Sequence, residues 1–118
     1  GLLAKEIALW FKENGVSEVL TQHDSELDRA CRKLGITIIE EAFLDRTYIL
    51  DNGVLKLAPR KRPDALICDP ETALKQYRCL KRGFVEADGQ DVALTAKTLC
   101  VHSDSEASLE ILKKLRHV

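Results

Sequence analysis

The sequence predicts an α/β protein in which helices alternate with the short strands of a parallel sheet. Segments with helical spacing of apolar residues alternate with short β-branched segments, and glycines follow several of the predicted helices. Polar, ionisable clusters follow three of the predicted strands, at residues 21–24, 40–46 and 102–104. Because the carboxyl ends of parallel strands face one edge of a sheet, where ligands usually bind, we expect these clusters to meet at a common edge.

The first third of the chain follows the order helix, strand, helix, strand. Leu3, Ile7 and Trp10 recur at helical spacing, which predicts an amphipathic helix that stops at Gly15. The predicted elements are a helix over 2–14, a strand over 16–20, a helix that Asp24 or Ser25 caps and Gly35 ends, and a strand over 36–39. The last of these strands is β-branched and almost entirely apolar, a pattern typical of strands covered on both faces.

A long irregular stretch, residues 40–68, comes next and contains a predicted hairpin. Asn52 and Gly53 tolerate positive φ angles and lie between two short apolar runs, so they predict the hairpin turn. Asp69 and Pro70 then predict a helix start, with a capping carboxylate and a proline at the first helical position. The remaining predictions are a helix end at Gly83, a turn at Asp88-Gly89, a strand over 98–101 and a last helix from Ser105.

Length and composition favour a single globular domain over residues 1–118. The chain is 45% hydrophobic and 31% charged, its formal net charge is −1, and it contains one Trp, two Tyr and three Phe. A nearly neutral chain with so few aromatic side chains lacks the basic and stacking surfaces that nucleic acids require. No apolar run approaches the roughly 20 residues that cross a bilayer, and no secretory signal is recognisable, so we expect a cytoplasmic protein without a membrane partner.

The four cysteines are scattered along the chain, without a Cys-x-x-Cys pair or the Cys/His spacing of zinc sites. Cys31 and Cys79 fall on predicted helix faces and Cys100 within a predicted strand, where free cysteine usually packs as a small hydrophobe. We therefore expect reduced, structural cysteines and no catalytic thiolate.

Two segments, 40–48 and 96–104, carry a resemblance to a known family. The first contains a Glu-x-Phe-x-Asp-Arg-x-Tyr motif formed by Glu41, Phe43, Asp45, Arg46 and Tyr48. The second contains Thr98, Cys100, Val101, His102 and Asp104, and the matching positions between the two are Asp51, Gly53, Pro59, Arg60, Pro63, Ala65, Ile67, Asp69, Gln76, Gly83, Asp88 and Gly89. In order and spacing this set resembles the LamB/YcsF family of lactam-utilisation proteins. Lys97 and Ser103 depart from the family pattern, which usually has Asp and Gly at these positions.

The resemblance implies an irregular seven-stranded β/α barrel, similar to glycoside hydrolases and polysaccharide deacetylases, of which this chain would form the C-terminal part. Family members also carry an N-terminal half with Asp-Leu-Asn-x-Asp and Lys-Pro-His-Gly segments, neither of which occurs here. The implied activity is that of the A-subunit of an ATP-dependent 5-oxoprolinase, which opens the lactam of 5-oxoproline to L-glutamate with subunits B and C. ATP, acting through the complex, is the implied cofactor, and the metal requirement stays open.

Opening a lactam with ATP requires a carboxylate or imidazole that activates water and cations that balance phosphoryl charge. From residue chemistry and strand-end placement, the candidate catalytic residues are Asp45, His102 and Asp104, and the candidates for binding substrate or phosphate are Arg46, Arg60 and Glu41. Each candidate also has a structural interpretation. Asp45 and Arg46 would anchor their loop, Asp104 would cap a helix, and Arg60 would belong to a solvated basic loop.

A different class of function is that of a non-catalytic or inactive LamB/YcsF-like fragment that serves in binding or assembly. Partial barrels leave sheet edges unpaired, and such edges pair with other chains. On this interpretation the chain forms a homo-oligomer or associates with a separate N-terminal half, and its edge residues hold a ligand without chemistry. A third interpretation is a stand-alone open β/α domain with another small-molecule ligand.

Overall fold

The structure is a computed structural model that describes residues 1–102 and 106–118. The elements in chain order are α1 (Leu2–Glu13), β1 (Glu18–Gln22), α2 (Glu26–Lys33), β2 (Thr37–Phe43), β3 (Tyr48–Asp51), β4 (Val54–Leu57), α3 (Pro70–Lys81), β5 (Phe84–Ala87), β6 (Gln90–Ala93), β7 (Thr98–Cys100) and α4 (Ala107–Leu115). Helices and strands mix along the chain, which confirms the predicted α/β class. Within the described ranges, no helix has both the length and the apolar character needed to cross a bilayer.

The chain divides into two compact units. The first comprises Gly1–Ala42 with Ala96–Thr98, and the second comprises Phe43–Thr95 with Leu99–Val118. The predicted single-domain organisation and the seven-stranded barrel stay predictions.

The first unit is built on the parallel pairing of β1 with β2, in which Val19 lies opposite Ile38. Its core contains the buried residues Ala8, Val19, Cys31 and Ile36. α2 begins as predicted, because the Ser25 side chain accepts a hydrogen bond from the Asp28 amide at 3.1 Å. β7 follows β2 in the sheet order β1-β2-β7, and the Lys97 amide donates to the Glu40 carbonyl at 3.0 Å.

The second unit is built on a four-stranded sheet with the order β4-β3-β5-β6. β3 and β4 form the predicted hairpin, with positive φ angles of 52° at Asn52 and 77° at Gly53. β5 and β6 form a second hairpin around the predicted Asp88-Gly89 turn. α3 packs against β5, and α4 packs against α3. The Asp69 side chain caps α3 by accepting a hydrogen bond from the Thr72 amide at 3.3 Å.

The predicted bounds of two strands were wrong, and one strand was missed. β1 covers Glu18–Gln22 rather than residues 16–20, and β5 over Phe84–Ala87 was not predicted. β2 runs through Phe43 instead of ending at residue 39, so the two glutamates at 40 and 41 lie within the strand and pair in register with Thr21 and Gln22 of β1. Pairing across the sheet fixes these polar residues as strand, which the apolar pattern alone does not indicate. The predicted start of the last helix at Ser105 lies outside the described residues.

Candidate functional site

Asp45 and His102, two of the predicted site residues, are in direct polar contact. The His102 amide donates to Asp45 Oδ2 at 2.6 Å, and Nδ1 of the imidazole lies 3.0 Å from Oδ1 and 3.1 Å from Oδ2. The Asp45 side chain is 7% exposed, and that of His102 is 29% exposed. One nearly buried carboxylate therefore holds both the backbone and the ring of a histidine 57 positions away.

The imidazole is also fixed by its neighbours in the second unit. The Phe43 ring stacks on it with a centroid separation of 5.4 Å and an interplanar angle of 10°. Phe43 is the last residue of β2, and Asp45 lies in the bend that follows it. The Ser108 hydroxyl donates to the carbonyl of His102. These contacts restrict both the plane and the position of the ring.

The segment that carries Asp45 is held by hydrogen bonds along its backbone. The Leu44 amide donates to Cys100 O at 3.1 Å, which aligns the ends of β2 and β7 and brings Asp45 beside His102. The Asp45 carbonyl accepts from the Ile67 amide at 2.8 Å. The backbone contact between the ends of these two strands thus brings Asp45 and His102 together, while a common edge for all three polar clusters stays a prediction.

Side chains complete the anchoring of this segment. The Phe43 amide donates to the Tyr48 hydroxyl at 3.0 Å. Nε2 of Gln76, on α3, donates to Phe43 O at 2.7 Å and to Arg46 O at 2.9 Å. The two carbonyls that accept from Gln76 lie on either side of Asp45.

The hydrogen-bond chemistry assigns the imidazole tautomer. An ionised carboxylate only accepts hydrogen bonds, so Nδ1 of His102 carries the proton when it pairs with Asp45. In the neutral ring Nε2 then keeps its lone pair and can accept a proton from water or bind an electrophile. The same carboxylate–imidazole arrangement orients histidine bases in hydrolases and histidine ligands in metal sites.

Arg46 follows Asp45 but has a different partner. Its Nη2 donates to Ala58 O at 2.8 Å, and the residue is only 8% exposed. Nε of Arg46 is buried and has no hydrogen-bond partner within the described part of the chain. The Arg46 guanidinium thus contacts the segment after β4, and its role in binding substrate or phosphate stays a prediction.

The remaining predicted site residues are Glu41, Arg60 and Asp104. Glu41 lies within β2 in the first unit, opposite Gln22. Arg60 is exposed, in the turn that follows β4. Asp104 lies outside the described residues. Their roles stay predictions.

A polar cavity of about 330 Å³ lies in the second unit and includes Gln76 in its lining. Charged groups of its lining are paired with one another. Arg62 binds both oxygens of Asp64 at 2.9 and 2.7 Å, and these hydrogen bonds hold the pKa of Asp64 below its usual value. Lys75 lies 3.6 Å from Glu86. Across the described ranges, no group of three or more His, Cys, Asp or Glu side chains is arranged to hold a metal ion.

Sequence reasoning assigned no role to Phe43 or Gln76. A signal for Gln76 was present, because it shares the buried face of α3 with Ala73 and Leu80 at helical spacing, and a polar residue on such a face needs a partner. The partner could not be identified, since the carbonyls concerned lie 33 and 30 positions earlier. The stacking of Phe43 on His102 could not be predicted either, because the two residues are 59 positions apart in the sequence.

Comparisons with known proteins agree on one family. The model of the LamB/YcsF family matches residues 2–118. The 5-oxoprolinase A-subunit of Oceanobacillus iheyensis is 38% identical over 96 residues, which are 80% of this chain and 36% of that relative. The 5-oxoprolinase A-subunit of Chloroflexus aggregans is 44% identical over 96 residues, which are 80% of this chain and 37% of that relative.

A solved structure shows the same similarity. The crystal structure of the lactam utilization protein from Thermus thermophilus matches with a TM-score of 0.78 and 34% sequence identity, over 97% of this chain and 47% of that chain. The matched region thus spans little more than a third of the curated relatives and about half of the solved structure.

Proposed function

Because the chain belongs to the LamB/YcsF family, as its motifs indicated, we propose that it forms part of the A-subunit of a 5-oxoprolinase. In this proposal the complete enzyme opens the lactam of 5-oxoproline to L-glutamate with hydrolysis of ATP, and subunits B and C take part. The relatives named as 5-oxoprolinase A-subunits support this role. The contact between Asp45 and His102 is the observation that assigns this role to specific residues.

The chemical demand of the reaction explains why such a pair is useful. Amide resonance makes a lactam carbonyl a poor electrophile, and transfer of the γ-phosphoryl group of ATP to its oxygen removes that resonance and releases ADP. A water molecule then adds to the carbon, and the ring C–N bond breaks as its nitrogen takes up a proton. A second water molecule then hydrolyses the remaining bond to the phosphoryl group, which leaves as inorganic phosphate.

In this scheme His102 is the general base. Its Nε2 takes a proton from the attacking water and returns it to the departing ring nitrogen, while Asp45 fixes the tautomer and stabilises the imidazolium that forms. Asp45 is a positioning residue in this assignment, because its carboxylate is nearly buried and both oxygens accept hydrogen bonds from His102.

In this proposal, residues other than Arg46 balance the negative charge of the phosphoryl group. Arg46 is engaged with Ala58 and serves as a loop anchor. Arg60 is exposed and is therefore the better placed of the two guanidinium groups for a phosphorylated ligand. Glu41 and Asp104 remain candidates for binding substrate and for catalysis.

The test uses the full-length protein that contains this chain, assembled with its partner subunits. We expect His102→Gln and Asp45→Asn each to lower ATP-dependent formation of glutamate from 5-oxoproline by about 10²–10⁴-fold, because each removes a base or its orienting carboxylate. Glutamate and ADP are measured in parallel as functions of 5-oxoproline concentration.

Two exposed residues provide matched controls for these substitutions. His117→Gln and Asp91→Asn make the same chemical changes at exposed positions and should leave turnover unchanged. Turnover within twofold of the unsubstituted enzyme in both His102→Gln and Asp45→Asn would refute the assignment and reduce the pair to a structural link.

A further inference from the structure

We propose that Gln76 is a positioning residue for the Asp45–His102 pair, which it controls by holding the two carbonyl groups on either side of Asp45. The kinetic consequence of this inference rests on the function proposed above. The structural consequence, the orientation of the imidazole, does not.

Geometry provides the first argument. Nε2 of Gln76 donates to Phe43 O at 2.7 Å and to Arg46 O at 2.9 Å, so its two N–H groups are both used within the segment that carries Asp45. These bonds hold the 43–44 and 46–47 peptide groups, which bracket the short segment that carries the Asp45 side chain. The carboxylate in turn binds Nδ1 of His102 at 3.0 Å. The amide of Gln76 therefore acts on the imidazole through one intervening residue.

The chemistry of the side chain provides the second argument. Two carbonyl oxygens need two donors, and a carboxamide nitrogen supplies two from one atom. A carboxylate of the same size supplies none and repels both carbonyls, while an apolar side chain leaves two partly buried acceptors without partners. The site thus requires an amide at position 76, and not merely a side chain of suitable volume.

The position of Gln76 provides the third argument. It lies in the middle of α3, whose start is fixed by the Asp69 cap and whose Ala73 and Leu80 are buried on the same face. A donor on a packed helix moves less than one on a loop. Phe43, the residue whose carbonyl Gln76 holds, also stacks on the His102 ring. The amide therefore restrains both the carboxylate and the stacking partner of the imidazole.

The experiment compares Gln76→Met and Gln76→Glu with the matched control Gln90→Met in the 118-residue chain. Gln90 is an exposed residue of β6, so its substitution makes the same chemical change away from the segment. The readout is the pair of ¹⁵N shifts of the His102 imidazole near pH 7.5, which report whether Nδ1 or Nε2 carries the proton. Far-UV circular dichroism verifies that each variant is folded.

We expect the unsubstituted chain and Gln90→Met to show the proton on Nδ1. Both Gln76 variants should lose this preference and give averaged shifts for the two nitrogens. Retention of the Nδ1–H tautomer in a folded Gln76→Met variant would overturn the proposal. If that variant does not fold, Gln76→Asn replaces it, because it keeps the amide but is one methylene too short to reach both carbonyls, and it is judged by the same criterion.

In the assembled full-length enzyme, Gln76→Met should lower kcat by about 10- to 100-fold, the usual effect of a misplaced catalytic group, and leave KM within twofold. A large rise in KM with unchanged kcat would contradict a positioning role. The two proposals fail separately. If Gln76→Met changes the tautomer but His102→Gln has normal turnover, only the proposed function is refuted. If His102→Gln is inactive but Gln76→Met keeps the tautomer, only the role of Gln76 is refuted.

Discussion

At the scale of the residue, neighbouring polar side chains of one motif take different tasks. The Asp45 carboxylate forms hydrogen bonds with His102, while the Arg46 guanidinium donates to the carbonyl of Ala58. Two charged residues that are adjacent in sequence therefore bind different partners in the structure. The motif combines one side chain that serves the candidate site with one that secures the chain behind it.

The burial of the cysteines predicts their order of modification. Cys31 is buried, and burial raises the pKa of its thiol, so the reactive thiolate is scarce and shielded. Cys68 is exposed. We expect an aromatic disulfide reagent at about pH 8 to modify Cys68 first and Cys31 last, with the modified positions identified by mass spectrometry.

Cys68→Ser provides the control for this prediction, because it should remove the fastest phase of thiol modification and leave the slowest phase unchanged. Modification of Cys31 at the rate of Cys68 in the folded chain would contradict the burial of its thiol.

At this scale, the position of a polar residue after a predicted strand was the most useful signal in the sequence. Asp45 and His102 were selected because each follows a predicted strand, and the structure does place them in contact. Asp104 was selected by the same reasoning and Arg60 for its positive charge, and the roles of both stay predictions. The atoms that pair could not be predicted, because hydrogen-bond partners depend on strand register, and the sequence pattern placed the end of β2 four residues too early.

At the scale of the element, α2 depends on its cap. The Ser25 hydroxyl accepts from the Asp28 amide at 3.1 Å and satisfies one of the free donors of the first turn. We expect Ser25→Ala to lower the free energy of unfolding by about 1 kcal/mol, measured by urea denaturation followed by circular dichroism. Ser17→Ala, at an exposed position before β1, should have no measurable effect, and equal losses in both variants would exclude capping as the cause.

An ion pair in the segment between β4 and α3 should make the stability of the folded chain depend on pH in acid. Hydrogen bonds from Arg62 lower the pKa of Asp64 in the folded chain. A carboxyl whose folded pKa is depressed contributes stability above its unfolded pKa of about 3.9, and this contribution is lost as the pH falls through the folded value. Arg62→Gln should therefore raise the pKa of Asp64 toward its usual range, measured by ¹³C NMR of the carboxyl carbon.

The stability of the Arg62→Gln variant should also depend less on pH below about pH 4. Arg78→Gln is the control, because Arg78 is an exposed arginine on α3. An unchanged Asp64 titration in Arg62→Gln would show that the two side chains do not interact in solution.

Elements with strong local signals were predicted from the sequence. The turn at Asn52-Gly53 and the start of α3 at Asp69-Pro70 depend on backbone preferences of single residues, and both occur as predicted. β5 was missed, because Phe84–Ala87 mixes apolar and charged residues over only four positions. Its strand structure depends on antiparallel pairing with β6, which is a contact rather than a local preference.

At the scale of the whole molecule, the length of the chain bears on its activity. The matched region covers 36% and 37% of two relatives that are 5-oxoprolinase A-subunits, so most of their length lies outside it. We expect the purified 118-residue chain, without other subunits, to form no glutamate from 5-oxoproline and ATP. A 5-oxoprolinase assembled with the A-subunit of a relative is the positive control, and glutamate above background from the isolated chain would contradict the expectation.

The long separation between Asp45 and His102 has a consequence for the order of folding. Their contact closes a loop of 57 positions, whereas the hairpins of the second unit close around turns of two residues. Short hairpins form in about 1–10 μs, and the entropy of closure rises with loop length. The Asp45–His102 contact should consequently be among the last contacts to form during refolding, after the helices and hairpins of the chain.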